Sequence, residues 1–195
     1  MSSIQLKHSG GNGVSIAAPS SNPASNRTLT VPSNADGTIL TTTYPKSGSI
    51  IQVVQGEKLG TASTASATFA TLITKDITRS SASNKVLVSF HVMVSTSYTS
   101  VPVPQFNLQR GSTNIAQPTV TTNNPATRSE YVFANSVNPI SFEFLDDGAA
   151  SESSLTLTYN LQWARGGTGT AYLGRYYNSV NYNAPSYLIL KEVAA

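Results

Sequence analysis

The sequence contains no cysteine. No disulfide can staple the fold, and no thiolate is available as a nucleophile or a soft metal ligand. Histidine is almost as scarce: His8 and His91 are the only two, too far apart in sequence to form a pair at metal-ligand spacing, and a histidine-based triad is hard to build from them. Charge is thin as well, at 11% of residues against the roughly 25% usual in soluble domains. The 12 Lys and Arg against 9 Asp and Glu leave a net charge of +3, too even a balance for a nucleic-acid-binding surface. No stretch approaches the ~20 apolar residues of a membrane span, so no membrane insertion is expected. Residues 1–7 lack the charged start and apolar run of a signal peptide, which predicts synthesis in a cytoplasm. Helical periodicity is missing too; residues 62–71 form the only arguable short helix, weakened by their Ser and Thr.

What fills the chain instead is neutral and polar. Ser, Thr and Asn make up roughly a third of the 195 residues, a composition that keeps a surface soluble through uncharged hydrogen bonding. Residues 10–43 carry short apolar anchors only, Val14 with Ile16, Leu29 with Val31, and Ile39 with Leu40. Turn formers such as Asn12-Gly13, Asn22-Pro23 and Asp36-Gly37 bound them. That is too little apolar surface to offset the entropy of ordering one chain, but several copies around a common axis bury each other's anchors. Residues 1–45 therefore read as an extended trimeric stalk and attachment segment, and residues 46–195 as a head domain, with the composition shift at 41–48 as the boundary.

In the head, strands are predicted at 50–55, 68–77, 85–94, 105–110, 128–134, 140–145, 154–163, 169–174 and 187–193. Val86, Val88, Phe90, Val92 and Val94 share one face of the third strand, and Leu87, Ser89, His91 and Met93 the other. The clearest alternation is Leu155, Leu157, Tyr159, Leu161 and Trp163, whose face must be buried. Punctuators such as Asn123-Asn124-Pro125, Asn138-Pro139 and Asp146-Asp147-Gly148 are spaced as an antiparallel sandwich requires. The fold class is all-β, a two-sheet jelly roll.

Few constellations carry chemistry. His91 reads as an interface or surface histidine with a satisfied ring nitrogen. Asp146-Asp147-Gly148 with Glu152 is the densest acidic cluster, yet it lacks calcium-loop register and reads as a turn, and adjacent carboxylates on one turn do not face each other across a groove as glycosidases need. Gly166-Gly167-Thr168-Gly169-Thr170 lacks the Lys-Ser/Thr of a phosphate loop and reads as a hairpin joining the Trp163 and Tyr172 strands. Asn26-Arg27-Thr28 fits a glycosylation sequon that matters only in a secretory pathway. No catalytic residue, metal site or cofactor is expected. Tyr172, Arg175, Tyr176, Tyr177 and Tyr182, set among asparagines, are the candidates for contact with a neighbouring copy or with a glycan.

The string N-R-T-L-T-V-P-S-N-A-D-G-T-I-L at 26–40, preceded by G-V-S-I-A-A-P at 13–19, resembles a segment of virion structural proteins of tailed bacteriophages, notably fibre-type proteins of cyanophages and marine phages. I-T-R-S-S-A-S-N-K-V-L-V at 77–88 and S-Y-L-I-L-K-E-V at 186–193 resemble strands of the C-terminal β-domain of the same proteins. These motifs specify a kind of virion part and no chemistry. The resemblance implies a head of tumour-necrosis-factor-like form and a non-enzymatic short tail fibre or spike, homotrimeric, attached by its N-terminus to other virion proteins of tail, baseplate or capsid. A capsid decoration protein is the alternative placement, and a carbohydrate-binding receptor-recognition module a weaker one. In each phage placement the finished protein resides in the virion.

Overall fold

The computed structural model describes residues 3–7, 9–17, 45–97, 103–117, 126–129, 132, 136–177, 179 and 183–195. The chain divides into two compact units, Met1–Ile39 and Leu40–Ala195. In the first, β1 (Ser3–Lys7) and β2 (Gly13–Ala17) pair antiparallel, with Ile4 opposite Ile16 and Leu6 opposite Val14. Gly11, at φ 95°, takes the left-handed conformation in the connecting turn. Two of the expected stalk anchors, Val14 and Ile16, thus lie in a strand whose partner is in the same chain. Leu29, Val31, Ile39 and Leu40 lie outside the described residues.

The second unit is a sandwich of two antiparallel sheets. One contains β3 (Ile50–Lys58), β4 (Ala62–Thr64), β6 (Lys85–Thr96), β10 (Asn138–Asp146), β12 (Ala171–Leu173) and β13 (Ser186–Val193). The other contains β5 (Ala70–Thr78), β7 (Val103–Arg110), β8 (Thr113–Ile115), β9 (Arg128–Ser129) and β11 (Thr156–Gly166).

Register reduces these to fewer lines of strand. Leu173 pairs with Val94 and Tyr187 with His91, so β12 and β13 run along the same side of β6, while β10 takes the opposite side with Asn138 also at Val94. The pair β4 and β3 follows β12 and β13 in the same way, and β8 and β9 share one side of β7, at Leu108 and Phe106 respectively. Each sheet is therefore four lines wide. Numbered along the chain as β3/β4, β5, β6, β7, β8/β9, β10, β11 and β12/β13, the lines lie in the order 1-8-3-6 in one sheet and 2-7-4-5 in the other. Consecutive lines alternate between sheets except at 4 to 5, which is the connectivity of an eight-stranded jelly roll.

Strict alternation puts the core between the sheets. Val86, Val88, Phe90, Val92 and Val94 of β6 are buried, as are Leu157, Tyr159, Leu161 and Trp163 of β11 and Leu188 and Leu190 of β13. Phe90 spans the interior, its ring 5.7 Å from Phe106 on the facing sheet and stacked 5.6 Å from Phe142 on its own. Leu87, Ser89, His91 and Met93 are half-buried on the outer face of β6.

Residues 62–71 are not helical, in keeping with the missing helical periodicity: β4 ends at Thr64 and β5 starts at Ala70, because the β-branched and hydroxyl side chains favour strand and turn over helix. Three expectations fail locally. Leu155 precedes β11 and is exposed, since the strand starts only at Thr156. The Gly166-Gly167 segment is no hairpin, because β11 and β12 belong to different sheets and the segment crosses between them. Asp146 is the buried last residue of β10, and Asp147–Ser151 forms a 3-10 turn.

Candidate functional site

Tyr172 lies in β12, and Tyr176 and Tyr177 follow where the chain departs from that strand line. β12 and β13 lie along the same side of β6, and among the described residues, 174–177, 179 and 183–185 lie outside both strands. The excursion is pinched at its base: Gly174 N–H donates to Met93 O at 2.7 Å and Ala184 N–H donates to Gly174 O at 2.8 Å. Gly174 is required there, with φ at 68° and room for a Cβ only 2.7 Å from Ala184 O. Above the pinch, Ser95 Oγ donates to Arg175 O at 2.6 Å, and the Arg175 guanidinium lies over the Tyr172 ring, 4.6 Å from its centroid. The Tyr177 ring lies 6.2 Å from that of Tyr172, tilted by 51°. Sequence-predicted Tyr172, Arg175 and Tyr177 are thus brought together, Tyr176 is exposed beside them, and Tyr182 lies outside the described residues. Arg175 already covers one face of Tyr172, which reduces what this cluster offers to a stacking ligand.

Two buried polar knots, invisible as such in the sequence, hold the sandwich edges. Glu192 takes a core-facing position on β13 and is fully buried. Its carboxylate accepts from Gln52 Nε2 (2.6 Å), Ser80 N and Oγ (2.7 and 2.8 Å) and Asn84 Nδ2 (2.6 Å). Burial pushes the carboxyl pKa up, but the donated hydrogen bonds from Asn84, Gln52 and Ser80 outweigh it and hold the group below its ordinary 4.5. Next to it, buried Arg79 donates to five backbone carbonyls, those of Ala82, Asn84, Ala149, Glu152 and Ser154. In the second knot Arg110 donates to both oxygens of buried Asp146 (2.5 and 2.6 Å) and to Glu152 (3.1 Å), and the Tyr159 hydroxyl donates to Asp146 Oδ2 at 2.8 Å. Burial raises the Tyr159 phenol pKa and the Asp146 carboxylate raises it further, so the ring stays neutral. Burial lowers that of Arg110, but Asp146 and Glu152 more than compensate. These carboxylates are occupied by the fold. Among the described residues no three His, Asp or Glu side chains group as metal ligands. His91 shares a hydrogen bond of 2.7 Å with Ser141 on the outer face of the first sheet.

A concave surface lies on the outer face of the second sheet, a groove of about 590 Å³. Alternation puts Phe106 and Leu108 inward, so Gln105, Asn107 and Gln109 of β7 face outward, beside Gln162 of β11 and Asn114 of β8. They form a ladder of amides. Asn107 Nδ2 donates to Gln162 Oε1 (3.0 Å) and Asn114 Oδ1 (2.8 Å), Gln109 Nε2 donates to Asn114 Oδ1 (2.8 Å), and Gln117 Nε2 donates to Asn107 Oδ1 (3.2 Å). One wall is the β4–β5 connection, Ala67, Thr68 and Phe69. It is fixed by Thr68 N–H donating to Ser66 Oγ (3.0 Å) and by Arg165 N–H donating to Ser66 O (2.8 Å). Arg165, Gly166 and Gly167 close the end. Both connections that cross between sheets here therefore meet at the groove. The sequence signal was Q-x-N-x-Q at 105–109, which marks an outer strand face; its amide neighbours on β8 and β11 are not legible without register.

No family model matches the chain, and no curated protein matches it. Among solved structures it is similar, at 10% identity and a TM-score of 0.36, to a protein of Bacillus endospore appendages, a family of disulfide-linked pili, over 83% of this chain and 100% of that one. It is similar to a chain of infectious bursal disease virus strain Gx at 12% identity and a TM-score of 0.40, over 87% of this chain and 42% of that one. With a mutant VP2 protein of infectious bursal disease virus the values are 13%, 0.41, 98% and 44%. The chain spans less than half the length of the two viral chains. At these TM-scores the fold rests on the strand order above.

Proposed function

We propose that this chain is a non-enzymatic structural component of a phage virion, of the short tail fibre or spike type, which attaches through its N-terminal segment and presents the jelly-roll head outward as a homotrimer. The observation that carries this reading is the division of the chain into an N-terminal unit, which holds all but the last residue of the fibre-like string at 26–40, and a second unit that forms the sandwich. Its chemistry agrees: the buried Asp146 and Glu192 carboxylates are tied up in structural knots, half-exposed Glu152 is paired with Arg110, and the outer surfaces carry amides and tyrosines suited to contact. An extended segment adds to a host surface by backbone pairing, whereas a sandwich offers few free edges.

Rebinding tests it. Gly48 N–H donates to Ala194 O, Ala194 N–H to Ser49 O and Ser49 N–H to Lys46 O, so a truncated chain that begins at Pro45 keeps this clasp. Such a chain is expected to fold, judged by a cooperative denaturant transition, yet fail to rejoin particles stripped of the protein, while the full chain rejoins them. Full rebinding by the truncated chain would put the docking surface on the sandwich and favour a capsid decoration protein.

A further inference from the structure

We infer that the amide-lined groove on the outer face of the second sheet is a saccharide-binding site, with Gln105, Gln109, Asn114 and Gln162 as hydrogen-bonding groups and Phe69 as the stacking wall. This site is distinct from the tyrosine excursion, and its chemistry is independent of where in a particle the chain sits.

The floor is preorganised. Asn107, 3% exposed, is gripped by three other amides, and this fixes the rotamers of its neighbours without using up their capacity. A primary amide offers two donors and two acceptor lone pairs. Among the described residues the Gln105 amide has no partner, Gln162 Nε2 and Asn114 Nδ2 donate to nothing, and Gln109 Oε1 accepts nothing. The groove therefore presents donors and acceptors side by side, matching ligand hydroxyls that both donate and accept. Half-buried Phe69 on the wall supplies the apolar face that the C–H face of a sugar ring packs against. Gly166 keeps the end open, since a Cβ there would lie 2.8 Å from Gln105 Nε2.

Other occupants fit less well. A nucleic acid needs several cations for its phosphates, and Arg165 is the one cationic side chain among the lining residues. An added peptide strand pairs with a backbone edge, whereas this floor is the side-chain face of strands already paired. A second copy of this chain needs a matching protrusion and leaves few amides unpaired at its core.

The test uses the full chain on a printed array of microbial and animal oligosaccharides, followed by titration of the strongest binder. At least one oligosaccharide is expected to bind. Gln162→Leu and Phe69→Ala should each weaken it by about tenfold or more while a cooperative unfolding transition is retained, and Tyr176→Ala should leave it within about twofold. If Gln162→Leu proves unfolded, Gln109→Ala on the less buried rim replaces it with the same expectation. The inference is overturned if the folded wild type retains no oligosaccharide or if the groove variants bind like the wild type. It is equally overturned if Tyr176→Ala alone abolishes binding, or if Gln162→Leu changes the mass in solution, which would mark the face as an interface between copies.

Discussion

Asp146 and Glu192 occupy inward positions at the ends of β10 and β13, where the alternation of each strand calls for an apolar side chain. Each is partnered by a different device: Asp146 by the Arg110 guanidinium, Glu192 by neutral donors on β3 and in the 79–84 connection. Removing such partners from a buried carboxylate leaves an uncompensated charge. Because the folded-state pKa of Glu192 lies below its ordinary 4.5, its stabilisation is present above that value and is lost as pH falls through the lower folded value. Glu192→Gln should therefore be less stable than wild type near neutral pH, and the gap should shrink in acid; urea midpoints at about pH 7 and about pH 3 measure it. Parallel curves would show that the carboxylate is not held in its charged form. The inward parity of Glu192 is readable from L-I-L-K-E at 188–192. Its partners are not, since Gln52, Ser80 and Asn84 reach it only through pairing across more than 100 residues of sequence.

At the scale of elements, strands were legible wherever apolar and polar residues alternate strictly. β6 and β11 show this, and their buried faces are the ones the sequence marks. Leu157→Ala should cost about 2–5 kcal/mol as a large-to-small change in the core, and a loss below about 0.5 kcal/mol in a denaturant titration would invert the face assignment. What alternation does not contain is which sheet a strand joins. The glycines at 166–169 look the same in a hairpin and in a crossing, and only the pairing of β11 with β5 and β7, and of β12 with β6 and β4, separates the two. The groove escapes a sequence reading for the same reason, being assembled by two crossings. At the tyrosine excursion, Gly174→Ala meets both a left-handed φ and the Ala184 carbonyl, a strain of about 1–2 kcal/mol from the backbone alone. Hydrogen exchange should then show lost protection at the Gly174 and Ala184 amides with β6 unaffected; unchanged protection would mean the pinch is not set by Gly174.

For the whole molecule, the jelly roll buries one continuous core from residues of both sheets, while the N-terminal hairpin leaves Leu6 65% exposed. A two-stranded hairpin alone is marginal in water. We expect light scattering at dilute concentration to give three times the 20.5 kDa chain mass, with melting temperature rising with concentration. A well-folded monomer would remove the stalk from the proposal, and a dimer would require a different symmetry. The pinched excursion has a consequence for this architecture. Since β12 and β13 continue one line along β6, whatever lies between Gly174 and Ala184 is spliced into a strand whose two halves are registered independently, by Leu173 at Val94 and Tyr187 at His91. Each half keeps its own pairing with β6, so a change at exposed Tyr176 is expected to leave the register of both strands untouched, and surface recognition can vary here while the scaffold stays fixed.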